Sequence, residues 1–167
     1  AYTASLRQNL QDAKKSLEDL QEFRDGVKSY TDGVNAASAG GGALVGGMSQ
    51  ITETSAALNQ GADAIFNAIL GMVNEQLLAE LEPYAAYGIS FPGLTAGGYG
   101  EQLDQLATVF TQMGASQAAG QLSAVKSQLD TVAQFRDGVK AYTAGVGEAA
   151  GGSQELFQGL SVLYTAS

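Results

Sequence analysis

The chain has no cysteine, no histidine and no tryptophan, and its 167 residues include only two prolines, Pro83 and Pro92. Without Cys and His, the usual ligands for zinc, copper and haem are missing, and so are a thiolate nucleophile and an imidazole base. No metal and no cofactor is expected. The lack of cysteine leaves the redox compartment open. With proline confined to two neighbouring positions, the stretches on either side are free to run as long helices.

Basic residues are also scarce. Eight Lys and Arg stand against seventeen Asp and Glu, for a net charge of −9. None of the bases lies between Lys28 and Lys126, a stretch that carries Asp32, Glu53, Asp63, Glu75, Glu80, Glu82, Glu101 and Asp104. Nothing there neutralises phosphates, which argues against nucleic acid as a partner. Long apolar runs are missing as well. The longest, Ala64–Val73, is interrupted by Asn67 and falls short of the roughly 20 residues a bilayer requires. No signal-peptide pattern opens the chain. The heptad is still in step at Leu156, Leu160 and Leu163 where the sequence stops, so we expect a segment of a longer protein, with any membrane contact made through flanking segments.

Glycine is abundant, at 22 residues, and it recurs every seventh position. One series is Gly26, Gly33, Gly40, Gly47 and, past Thr54, Gly61; the other is Gly138, Gly145, Gly152 and Gly159. Beside them run two apolar heptad positions. Leu20, Val27, Val34, Gly41, Met48, Ser55, Ala62 and Ile69 occupy one, and Phe23, Tyr30, Ala37, Leu44, Ile51, Leu58, Ile65 and Met72 the other. Spacings of three and four predict helices packed side by side, and the glycines predict that the partner backbone comes close.

The two series belong to a duplication. Residues 23–34 read FRDGVKSYTDGV and residues 135–146 read FRDGVKAYTAGV. The correspondence extends outward, pairing Leu10 with Leu122, Lys14 with Lys126, Leu17 with Leu129 and Leu44 with Leu156. A local overwinding of the apolar spacing is repeated too, at Leu17, Leu20, Phe23 and at Leu129, Val132, Phe135.

These patterns predict an all-α fold in a single domain over residues 1–167. A first arm covers about residues 6–82, a Gly-, Pro- and aromatic-rich connection 83–100, and a second arm about 101–165. The expected architecture is a long antiparallel hairpin turning near Phe91, with the two copies of the repeat side by side. Val34 would then face Glu148, and Gly47 would face Phe135. The glycine-rich Ala39–Gly47 is where the first arm bends or, if it breaks, where the chain refolds into a bundle. Tyr30 and Tyr142 are expected in the seam. Arg24, Asp25, Lys28 and their counterparts Arg136, Asp137, Lys140 are expected on solvated faces. A two-helix hairpin leaves apolar flanks, so self-association into a dimer is expected.

No enzyme motif is present. GGALVGG and GLTAGGYG lack the Lys-Ser/Thr of a phosphate-binding loop, and within the acidic stretch between Lys28 and Lys126 no His or nearby Lys stands ready to activate a serine or threonine. Loops at the end of a rigid scaffold often carry binding, which singles out Tyr84, Tyr87, Phe91, Pro92 and Tyr99 as candidate contacts; the same rings would serve equally to plug the bundle end. The acidic residues flanking this tip have no calcium-loop spacing.

The repeated FRDGVKSYTDGV and FRDGVKAYTAGV, with the continuation ALVGGMSQITETSAALNQGADAI, resemble the repeats of the YhgE/Pip (phage infection protein) family over about residues 17–65 and 122–164. The resemblance implies a heptad-rich extracellular segment of a Gram-positive bacterial membrane protein, set between transmembrane segments and on the outer face of the cytoplasmic membrane. It implies no catalytic residues. Three functions stay open: a stalk presenting its tip to a phage or partner protein, the extracytoplasmic part of an ABC-2-like or RND-like exporter or secretion component, and a coiled-coil signalling hairpin. Flanking sequence separates the first two, and a Gly- and Pro-rich turn speaks against the third.

Overall fold

The structure is a computed structural model and describes residues 1–166. Its elements are α1 (Tyr2–Leu81), a 3-10 turn (Glu82–Tyr87), α2 (Tyr99–Gln112) and α3 (Ser116–Ala166). No strand occurs among the described residues, so the fold is all-α, with α1 packed antiparallel on α3. The backbone contacts divide the chain into two compact units, one of residues 51–147 and one of residues 1–50 with 148–167.

Residues 51–147 hold the core. Pro83 ends α1 because it lacks an N–H and its ring crowds the preceding turn, and it opens the 3-10 turn instead. Gly88, at φ 80°, closes that turn with its N–H on the Ala85 carbonyl. The chain then runs back along α1, and the Asn74 side chain holds it there. Asn74 Oδ1 accepts from the Leu94 N–H, and its Nδ2 donates to the Leu94 carbonyl at 2.9 Å. Gln102 repeats the arrangement from α2, accepting from the Thr95 N–H at 2.9 Å and donating to the Gly93 carbonyl at 3.0 Å.

Helix α2 consequently starts beside Phe66 and climbs parallel to α1. Tyr99 meets Phe66 at 5.9 Å between ring centroids, and Phe110 meets Tyr84 edge-on at 5.0 Å. Gly114, at φ 79°, ends it. The Ala115 N–H reaches back to the Phe110 carbonyl at 2.9 Å, and the Gly114 N–H reaches Thr111 at 3.0 Å, the Schellman pairing that favours a left-handed glycine at this position. Helix α3 then descends antiparallel to both. The result is a three-helix bundle around Phe66, Leu70, Leu77, Leu103, Phe110, Leu122 and Leu129.

Several expectations are corrected here. The second arm is not one helix over 101–165 but two, because Gly114 supplies a reversal. Inserting α2 also moves the α1–α3 alignment. Arg136 lies over the Phe66 ring, 4.3 Å from its centroid, Lys140 pairs with Asp63 at 2.8 Å and Asn59 Nδ2 donates to Thr143 Oγ1 at 2.8 Å. The second copy of the repeat therefore packs on Asn59–Phe66, not in the register expected of a simple hairpin, and Phe135 is itself 55% exposed. The first copy is bare on the same side, with Phe23, Val27 and Tyr30 exposed.

The seam itself is displaced by one heptad position. In α1 the covered residues include Val34, Ser38, Gly41, Val45, Met48, Ser55, Asn59, Ala62 and Phe66. In α3 they include Val132, Arg136, Val139, Thr143, Val146, Ala150, Ser153 and Phe157. One predicted position is thus correct from Val34 onward. The other, from Tyr30 through Leu44, Leu58 and Ile65 to Met72, is 44–61% exposed at its large residues. Tyr142 is likewise exposed, so neither repeat tyrosine is a seam residue. At 100° per residue, the true seam is centred about 80° away from that stripe. The physical reason is size: Ser, Gly, Ala, Asn and Thr fill the chosen seam and let the helices approach more closely than Tyr, Phe and Leu would.

In the unit built from residues 1–50 and 148–167, α1 continues without interruption through Ala39–Gly47, so no refolding occurs there. Gly41 is buried, and a Cβ on it would lie 3.0 Å from Leu160 Cδ1 and 3.3 Å from Phe157 Cδ2. This close packing offsets a helix-propensity penalty of roughly 1 kcal/mol per glycine. The heptad glycines behave differently. A Cβ built on Gly26, Gly33, Gly40, Gly47, Gly61, Gly138, Gly145, Gly152 or Gly159 meets nothing within 4 Å. Within this chain the close approach belongs to Gly41, not to that series.

Candidate functional site

The aromatic tip separates into two kinds of residue. Tyr84 is half-buried against Phe110, so it plugs the bundle. Tyr99 is half-buried between Phe66 and α3, and its hydroxyl donates to Asp130 Oδ1 at 2.7 Å. Burial, then the hydrogen bond to Asp130 and the nearby carboxylate charge, push its phenol up to about 12. Both are structural. Tyr87 and Pro92 stay exposed, Tyr87 at 75%, while Phe91 is half-buried with one side against the core. Together with Ile89 they form one wall of a groove of about 660 Å³.

The opposite wall is the outer face of α2 near its C-terminal end: Gln105, Leu106, Val109, Gln112 and Met113, with Gln102 at the base. Leu106 points into the core while its neighbours Val109 and Met113 stay exposed. The groove exists because Asn74 and Gln102 pin Gly93–Thr95 against α1 and α2, which leaves Ser90–Pro92 standing off from the helix. Gly93, at φ 95°, makes that bend. Its lining has no charged side chain. It offers apolar and aromatic surface, a flexible thioether and the amides of Gln105 and Gln112, which both donate and accept; the Gln102 amide is engaged by Thr95 and Gly93. Such a groove can hold an extended or helical apolar segment and hydrogen-bond its polar atoms.

The charged residues are engaged elsewhere. Asp104 pairs with Lys126, and this contact raises the lysine above its ordinary range. Arg136 is not on a solvated face. Its side chain is mostly covered as it lies over Phe66 while pairing with Asp137 at 2.9 Å. Among the described residues no three acidic side chains gather to hold a metal, and no helix is long and apolar enough to cross a membrane.

Sequence reasoning located Tyr87, Phe91 and Pro92 but missed the other wall. Val109 and Met113 carry no sequence signal beyond being apolar at positions that the α2 core face does not use. No family model matches the chain, and no curated protein and no solved structure matches it.

Proposed function

We propose that this chain is a non-enzymatic helical stalk and interaction module, the extracellular part of a Gram-positive bacterial membrane protein of the YhgE/Pip kind, and that it presents the Tyr87–Met113 groove to a partner protein or a phage protein. The observation that carries the binding half of this reading is the groove. It is an uncharged, amide-lined concavity at the turn of a molecule with net charge −9. Apolar pockets with a few oriented polar groups are the common form of a recognition site. The membrane setting rests on the resemblance of the two FRDGVK repeats to that family.

The test is cell-surface binding by the full-length protein carrying Tyr87→Ala and Phe91→Ala. Tyr87 is 75% exposed, so Tyr87→Ala alone keeps the fold; Phe91 also packs against the core, so circular dichroism of the double variant separates a lost contact from a lost fold. Adsorption of the partner or phage is expected to fall at least tenfold. Undiminished binding would remove the groove from the mechanism.

A further inference from the structure

Both walls of the groove lie in the middle of the chain, between α1 and α3, so its openness does not follow from either end of the sequence. On the α2 wall, Leu106, Val109 and Met113 succeed one another at spacings of three and four, a stripe two turns and roughly 10 Å long. The volume of about 660 Å³ is room for a few side chains, within the roughly 300–1,000 Å³ of common recognition pockets. The lining is uncharged, but its surroundings are of one sign. From Glu75 to Asp104 the chain carries Glu75, Glu80, Glu82, Glu101 and Asp104 and no base. Lys126, which reaches this region from α3, is taken up by Asp104. Glu82 lines a second concavity that shares Gly88–Phe91 with the groove, and Glu101 stands one turn before Gln105 on α2. Both are exposed, and neither has a hydrogen bond or an ion pair among the described residues.

We propose that the groove takes one amphipathic helix of a partner protein, apolar at positions i, i+4 and i+7 and carrying Lys or Arg on its flanks. The inference rests on the reading of the groove as the binding site and names what binds there. Backbone needs select a helix. An extended segment would bring unpaired N–H and C=O groups to a groove that has no strand edge and only the amides of Gln105 and Gln112 to spare. A helix satisfies its own backbone and presents side chains at the spacing of the α2 stripe. Charge selects the flanks. Two free carboxylates in a stretch without a base attract a cationic segment and repel an acidic one. Exposed ion pairs add little affinity each, so burial against Tyr87, Phe91, Val109 and Met113 holds the helix while charge discriminates between helices.

The probe is a synthetic peptide of about 18 residues, long enough to hold a helix, with Leu at i, i+4 and i+7 and Lys on the flanks, titrated with the intact chain and read by fluorescence anisotropy. Saturable binding is expected, and the same peptide with Glu in place of Lys is expected to bind at least about tenfold more weakly. Val109→Gln with Met113→Gln, both exposed on the groove wall, is expected to abolish binding with circular dichroism unchanged. Glu82→Gln with Glu101→Gln is expected to weaken it about fivefold, the effect of two exposed ion pairs. Glu148→Gln with Glu155→Gln, which removes the same charge elsewhere on α3, is expected to change nothing. Equal affinity for the Lys and Glu peptides, both lost on the wall substitutions, would keep the groove as a binding site and overturn its cationic partner. Undiminished binding by the Glu82/Glu101 variant, or an equal loss in the Glu148/Glu155 variant, would overturn it too, the latter by reducing the effect to net charge. Binding of neither peptide, or binding indifferent to the wall substitutions, would overturn the groove reading itself and this proposal with it. A full-length protein that fails to bind the peptide this chain binds would assign the groove to the protein's own continuation and overturn the external partner.

Discussion

Phe66 and Phe135 discriminate between the seam that the heptad pattern suggests and the one that folding selects. Phe135 belongs to the repeat and to the expected apolar position; Phe66 belongs to neither. Yet Phe66 is 1% exposed and Phe135 is 55% exposed. Truncating Phe66 removes a ring that touches Tyr99 and carries the Arg136 guanidinium at 4.3 Å. A buried Phe→Ala change costs about 3–5 kcal/mol. Loss of the cation–π contact is part of that cost, at about 0.5–2 kcal/mol, and a better helix former returns about 0.5 kcal/mol. The expected net loss for Phe66→Ala is about 3–4 kcal/mol. For Phe135→Ala, more than half of the ring is already in water and the propensity gain is the same, so the expected loss is below about 1 kcal/mol. At a urea slope of about 2 kcal/mol per molar, Phe66→Ala lowers the midpoint by about 1.5–2 M and Phe135→Ala by less than about 0.5 M. Far-UV circular dichroism at low micromolar concentration reads both. A double-mutant cycle with Arg136→Gln should recover about 0.5–2 kcal/mol of coupling to Phe66 and none to Phe135. If Phe135→Ala proves as costly as Phe66→Ala, the assignment of the seam is wrong.

Other positions yield independent expectations. Gly40→Ala stabilises by about 0.5–1 kcal/mol because open space surrounds the new methyl, whereas Gly41→Ala gains nothing or loses stability as the methyl presses on Leu160 and Phe157; thermal melts of the two single variants separate them. Gly114→Ala forces φ 79° on an L side chain and costs about 1 kcal/mol or more, seen as a lower urea midpoint. Tyr99 contributes fully below pH 10. Between pH 10 and 12 the unfolded tyrosine ionises while the folded one keeps its proton, so that contribution is lost as pH rises. Tyr99→Phe should flatten this part of the stability profile, and ultraviolet titration of the seven tyrosines should lose its latest component; an unchanged titration curve would refute the contact with Asp130.

Helical content was legible because it rests on local facts: heptad spacing, two prolines and few β-branched runs. The end of α1 at Pro83 was legible for the same reason. The split of the second arm was half legible, since Gly114 stood out but nothing local told it apart from Gly120, which stays inside α3. At the tip, aromatic crowding marked the right loop. Which rings plug the bundle and which line the groove depended on where Asn74 and Gln102 pin the backbone, and an amide side chain announces no such partner in advance.

The sequence by itself determined that the chain is helical, that a segment is duplicated and that thiol and imidazole chemistry lack their residues. Periodicity and composition are properties of one helix or of the whole chain, and neither needs a partner to be read. Only the tertiary structure decided which of three apolar or small heptad positions meets the neighbouring helix, because that choice depends on how closely two backbones can approach. It placed small residues in the seam and left Tyr30, Tyr142 and Phe135 outside. It also decided that the second copy of the repeat packs on Asn59–Phe66, since twelve nearly identical residues carry no instruction about what lies across from them.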